Sequence, residues 1–180
     1  MDFQTSFFTY CPNCHSTDFS FKNLNKFQCN ACNFEYYHNI AAAVAVVFTF
    51  KDKILFTVRN EDPDKGTLDL PGGFIDPKET AEEAACREIK EELDLDITPA
   101  NLHYITTSPN EYLYKNVPYR TMDIFYECAL TNEKLSIKAK TEIKDLVWIK
   151  RNEIDLSKIG FVSIRTVIES FYESDNVSIR

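Results

Sequence analysis

The sequence predicts an α+β fold preceded by a small cysteine-rich module. Three features carry this expectation: an unbroken valine-rich run from Ala41 to Phe48, a patterned helical stretch from Thr80 to Leu93, and two Cys-x-x-Cys pairs, Cys11/Cys14 and Cys29/Cys32, confined to residues 1–38. A continuous apolar run marks a strand buried on both faces, and apolar residues recurring every three or four positions mark an amphipathic helix.

Residues 1–38 stand apart by composition, holding the paired cysteines and many aromatics, among them Phe19, Phe21, Phe27 and Phe34. So short a segment cannot build a stable core unaided, and a metal staple is the expected remedy. The remainder, 39–180, reads as the main domain. After the Ala41–Phe48 strand, Lys51-Asp52-Lys53 makes a turn and Ile54 to Val58 a partner strand. A polar loop from Asn60 to Gly66 leads through the short apolar stretch Leu68–Leu70 into Pro71-Gly72-Gly73. Thr80 is placed to cap the following helix, and Glu83 completes a capping box. Its buried stripe is Ala81, Ala85, Ile89 and Leu93. Leu102 to Tyr114 and Tyr119 to Leu130 read as strands around a loop containing Asn116-Val117-Pro118, and Val147 to Ile149 as a short strand. Phe161, Ile164, Ile168, Phe171 and Tyr172 keep helical spacing and predict a C-terminal helix.

With 180 residues the chain suits one ordinary domain plus an accessory module. No apolar stretch reaches membrane-spanning length, and Met1 to Thr5 lacks the basic and apolar regions of a secretory signal, so the expected location is cytoplasmic. The net charge of −8 argues against a broad nucleic-acid surface. A nucleotide substrate stays compatible with that charge, because divalent ions held by carboxylates can receive phosphates.

Chemistry concentrates in Arg87-Glu88-Ile89-Lys90-Glu91-Glu92. At about 3.6 residues per turn, Glu88 and Glu92 stack one above the other with Glu91 beside them. All three lie in the C-terminal half of the helix, where its dipole disfavours negative charge. A solvated acidic face is the plain explanation. The functional one is that Mg²⁺ (or Mn²⁺) is gripped there, since local conflicts of this kind mark functional sites. Gly72 could turn its carbonyl toward such a metal, and Glu79 could pair with Arg87 to hold the entering loop.

From Gly73 to Leu95 the chain resembles the Nudix box: Gly73, Glu79, Arg87, Glu88, Ile89, Glu91, Glu92 and Leu95 occupy its positions, with Asp94 where the family has glycine. The stretches Ile54–Arg59 and Gly66–Pro71, and Glu142 followed by Trp148, extend the resemblance over most of 41–150. It implies an α/β/α sandwich with a mixed sheet. Its implied activity is Mg²⁺-dependent cleavage of a pyrophosphate bond in a small nucleotide, with Gly72, Glu88, Glu91, Glu92 and Glu142 as metal ligands. Glu91 or Glu92 then orients or deprotonates the water, and Arg87 and Glu79 complete the catalytic set. Arg59 is a phosphate-binding candidate, and Tyr112, Tyr114, Tyr119 and Phe125 are candidates for stacking a base. A homodimer is also implied.

The spacing of Cys11, Cys14, Cys29 and Cys32 is that of a four-thiolate structural Zn²⁺ ribbon with no open coordination position. A ribbon followed by a Nudix domain is similar to the architecture of zinc-containing NADH pyrophosphatases. Where those enzymes carry a proline- and tryptophan-rich motif, this chain has Ser108-Pro109-Asn110-Glu111-Tyr112. The expectation therefore extends to the substrate class, a nucleoside diphosphate linked to a moiety X. Two alternatives stand beside it: a nucleoside triphosphate pyrophosphohydrolase, and a non-catalytic ligand sensor whose ribbon contacts nucleic acid or protein.

Overall fold

The computed structural model describes residues 8–22, 25–114 and 117–177. The chain divides into two compact units, Met1–Ile40 with Leu113–Tyr119, and Ala41–Tyr112 with Arg120–Arg180.

In the first unit, β1 (Phe19–Lys22), β2 (Lys26–Cys29) and β3 (Glu35–Tyr37) form an antiparallel sheet in that order. Its core is small. Cys11, Phe27 and Cys29 are buried and ringed by Phe8, Phe19, Phe21 and Phe34. The two cysteine pairs sit on matching turns. His15 donates its N–H to the Cys11 carbonyl and Asn33 to that of Cys29, and both donors adopt left-handed backbone, at φ 59° and 60°.

The second unit carries β4 (Ala41–Phe50), β5 (Lys53–Arg59), β6 (Leu68–Asp69), β7 (Gly72–Phe74), α1 (Ala81–Leu93), β8 (His103–Tyr114), β9 (Val117–Ala129), β10 (Ile143–Lys150) and α2 (Val162–Val177). The sheet order is β10-β5-β4-β9-β8, with β6 on β5 and β7 on β4. It is mixed, because β4 runs parallel to β9 and antiparallel to β5 and β7. The β4 run is buried on both faces, as its apolar continuity predicts. Val44, Val46 and Phe48 pack with Ala84, Ala85, Ile89 and Leu93 of α1. Ala45 and Val47 pack with Ile164, Val167 and Ile168 of α2. The expected α/β/α sandwich is therefore observed.

Two departures from the sequence reading concern length. β10 runs over eight residues where three were expected, because it pairs along β5 from Arg59 to Lys53 while exposing Lys144 and Asp145. That half-exposed edge lacks the apolar continuity by which β4 is read. The second strand of the β8–β9 pair begins at Val117, inside the expected loop.

One backbone feature positions the site. β4 pairs with β5 only at its far end, Thr49↔Ile54 and Phe50↔Lys53. Nearer the start of β4 the two strands part, and the segment Leu68–Phe74 fills the gap, pairing with β5 through β6 and with β4 through β7. Among the described residues no helix is long and apolar enough to cross a membrane.

Candidate active site and metal centre

The helix α1 is fixed at both ends by its own sequence. Thr80 Oγ1 accepts from the Glu83 N–H at 3.2 Å, and the Glu83 carboxylate accepts from the Thr80 N–H at 2.8 Å. At the other end Asp94 caps the helix in left-handed conformation, φ 52°. Between them Arg87 is the hub. Its Nε and Nη2 make a bidentate pair with Glu79 at 2.7 and 3.0 Å, and Nη2 also donates to the Phe74 carbonyl at 3.0 Å. Nη1 reaches Glu88 Oε1 at 2.9 Å and Glu91 Oε2 at 3.3 Å. One guanidinium thus joins the end of β7, the entering loop and two acids of the helix.

The glycines before α1 create space for its carboxylates. A Cβ on Gly73 would overlap the Glu88 carboxyl group. Gly72, at φ 150°, lies so close to the Val44 backbone that no side chain fits. Its N–H donates to Glu92 Oε2 at 3.0 Å. Glu92 is only 8 % exposed, and Glu91 is exposed. Burial, reinforced by the charge of Glu88, pushes the Glu92 carboxyl well above the usual carboxylate range, against the stabilising Gly72 N–H. Burial also raises Glu88, opposed by Arg87. Arg87 holds Glu79 below its ordinary value.

Glu92 and Gly72 line one cavity with Arg59, Asp69, Glu61 and Glu142. The buried Glu92 carboxylate and the exposed carboxylates of Glu61 and Glu142 at this polar cavity are oxygen donors of the kind that suit a hard divalent cation, which relieves their repulsion. No three acids converge as tightly as the cysteines do among the described residues.

In the first unit the Sγ atoms of Cys11, Cys14, Cys29 and Cys32 all lie within 4.8 Å of one another. Cys11–Cys32 and Cys14–Cys29 are each 3.7 Å apart, and the thiols are free. A tetrahedron with metal–sulfur bonds of about 2.3 Å has edges of about 3.8 Å, so the spacing fits a four-thiolate zinc site and not a disulfide. The Asn13 amide and the Phe34 backbone lower the Cys32 thiol to about 6.

Residues 38–171 match the NUDIX domain family model. The chain belongs to the Nudix family. It is similar to an ADP-ribose pyrophosphatase of Methanocaldococcus jannaschii, 42 % identical over 74 residues that cover 41 % of this chain and 44 % of that protein. It is also similar to the NAD-capped RNA hydrolase NudC of Edwardsiella ictaluri, 37 % identical over 81 residues, 45 % of this chain and 30 % of that one. The chain thus matches less than half the length of these curated relatives. In fold it resembles the crystal structure of a MutT NUDIX hydrolase from Burkholderia pseudomallei, with TM-score 0.63 at 19 % identity, covering 73 % of this chain and 98 % of that one.

The structure brings the Nudix box residues Glu79, Arg87, Glu88 and Glu91 into one network, and Arg59, Gly72, Glu92 and Glu142 to one cavity. Arg59 is not a loose phosphate ligand. Its Nη1 pairs with Asp69 Oδ2 at 2.6 Å and its Nε donates to the Pro63 carbonyl at 2.8 Å. Among the aromatics one correction is needed. Phe125 is fully buried against α2 and has no face to offer a base. Tyr112 is half-buried with its ring 5.5 Å from Phe161, and Tyr119 is half-buried. The side chain of Tyr114 lies outside the described residues. Sequence reasoning missed Asp69 and Phe161. An acid between the two buried residues Leu68 and Leu70 was the available signal for the first; nothing marked the second beyond its place in the helical pattern.

Proposed function

We propose that this Nudix chain hydrolyses the pyrophosphate bond of a nucleoside diphosphate linked to a moiety X, using Mg²⁺ (or Mn²⁺). The observation that carries the reading is the buried Glu92 carboxylate, fixed by the Gly72 N–H in a cavity that also presents Arg59. Glu88 and Glu92, with the Gly72 carbonyl, would hold the cation, and Glu142 and Glu91 are further donors. A cation bound there polarises the pyrophosphate oxygens and lowers the pKa of water. The chain's own groups do the rest. Arg87 fixes Glu88 and Glu91, and is itself fixed by Glu79. Glu91 or Glu92 orients the water and takes its proton as the new P–O bond forms. The bridging P–O bond breaks, yielding a nucleoside monophosphate and phospho-X. The unused N–H groups of Arg59 offer charge-assisted hydrogen bonds to a phosphate.

The names of these two relatives refer to compounds in which a diphosphate joins two moieties, which supports X over a triphosphate. We further propose that residues 1–38 form a structural Zn²⁺ ribbon and 39–180 the catalytic domain. The test is a panel of nucleoside diphosphate compounds and nucleoside triphosphates with Mg²⁺, resolved by product chromatography. Monophosphate plus phospho-X is expected. Release of pyrophosphate would assign the triphosphate reaction, and ligand binding without turnover would assign a sensor.

A further inference from the structure

We infer that Asp69 is a positioning residue for Arg59, clamping its guanidinium so that the unused N–H groups face a substrate phosphate in the cavity. This inference rests on the pyrophosphohydrolase reading above. A guanidinium has five N–H donors. In Arg59 the Nε donor goes to the Pro63 carbonyl and one Nη1 donor to Asp69, while Cζ lies over the Phe161 ring, 4.9 Å from its centroid. Those contacts fix the plane and its rotation, and the remaining N–H groups have no partner among the described residues. Arg59 and Asp69 both line the cavity that holds Glu92 and Gly72.

Two other roles for Asp69 fit less well. As a brace for the loop Asn60–Gly66 it is redundant. That loop is already closed by Gly66 N–H to the Arg59 carbonyl (2.9 Å), Arg59 N–H to the Thr67 carbonyl (3.0 Å) and Thr67 Oγ1 to the Asp64 carbonyl (2.7 Å). As a metal ligand it is pre-empted, because Oδ2 is engaged by Arg59 and Oδ1 accepts the Leu70 N–H at 2.8 Å. An asparagine would serve Leu70 equally well. Only a carboxylate supplies the charge-assisted bond to Arg59, and it does so while buried beside Glu92, a placement that folding alone disfavours.

The test is a double-mutant cycle on the full chain with Mg²⁺, using Arg59→Ala, Asp69→Asn and the double variant. Affinity for inorganic pyrophosphate is read by calorimetry, ADP-ribose turnover by product chromatography, and folding by thermal melting. Asp69→Asn is expected to weaken pyrophosphate binding about 10- to 100-fold, the size of one charge-assisted hydrogen bond. The double variant should be no weaker than Arg59→Ala, and the Mg²⁺ concentration for half-activation should not change. Asp69→Glu, which keeps the charge, should recover part of the loss. Unchanged pyrophosphate affinity in Asp69→Asn, effects that add in the double variant, a raised Mg²⁺ requirement, or no pyrophosphate binding by the parent chain would each overturn the clamp. If the parent binds pyrophosphate with the expected non-additive pattern but turns over no nucleotide, the clamp stands and the hydrolase reading falls. A melting loss in Asp69→Asn with affinity retained would leave Asp69 a purely structural acid and also overturn the inference.

Discussion

The backbone N–H of Gly72 donates to Glu92 Oε2 across 3.0 Å, tying the strand before the loop to the last turn of the helix after it. Glu92 therefore has one oxygen held by the fold, in a buried place that disfavours its charge and where folding gains nothing from it. Glu92→Gln preserves shape and removes that charge. Hydrolysis is expected to fall about 10²- to 10⁴-fold, in the range for a lost proton acceptor. Melting of the metal-free protein should stay level or rise, because a desolvated carboxylate has been neutralised. Steady-state rates and a melt in chelator check both halves; a variant as fast as the parent would remove Glu92 from the mechanism.

The two glycines beside it are expected to fail differently. In Gly72→Ala the new methyl meets the Val44 backbone, which cannot yield, in a conformation that L-residues avoid. The expected cost is about 1–3 kcal/mol of stability or more. In Gly73→Ala the nearest atoms the methyl meets belong to the Glu88 carboxyl group, the far end of a side chain that can rotate away. That variant should fold, with metal affinity lowered about 10- to 100-fold, as for other displaced ligand supports. Denaturant midpoints and Mg²⁺ activation curves separate the two.

Arg87 holds the Glu79 pKa below its ordinary value of 4.5. The contribution of this pair to stability is thus fully present above that value and is lost as pH falls through the lower, folded-state pKa. Glu79→Gln should melt earlier than the parent at pH 7, and the gap should close in acid. A gap that persists unchanged at pH 2 would show that the pairing charge is not its source.

Asp94 caps α1 in left-handed backbone, which costs a non-glycine residue about 1–2 kcal/mol. Its exposed pair with Lys90, at 3.1 Å, offsets only part of that. Asp94→Gly is expected to raise stability by up to about 1 kcal/mol with hydrolysis unchanged. A denaturant titration beside a rate measurement decides it, and a loss of activity would mean that this carboxylate does more than end a helix.

The parts of the site that were legible in the sequence are those carried by local spacing. The Thr80–Glu83 cap, the Glu79–Arg87 pair and the left-handed Asp94 all lie within one helix and its approach, so residue order alone sets their geometry. The contact of Arg59 with Asp69 depends on how two strands are brought into register, which one chain's residue order does not display. Phe125 is a stacking candidate by its aromatic ring, with strand packing as the alternative, and the apolar run Ile124-Phe125-Tyr126 points to the interior position it occupies, as the valine-rich run does for β4. Each Cys-x-x-Cys pair was legible for the opposite reason, since it sits on a local turn, and the spacing between the pairs suits the short β1–β2 hairpin that sets one pair against the other.

The parting of β4 from β5 has a consequence for how this protein can vary. The opening beside Glu92 lies where main-chain pairing splits like a fork, with Leu68–Phe74 wedged into it and Gly72 lining it without a side chain. A side chain at the mouth that is not among the proposed cation donors, such as Glu61, can therefore be exchanged while the hollow itself persists. On the proposed reading, preference for X can drift at the rim without rebuilding the chamber behind it.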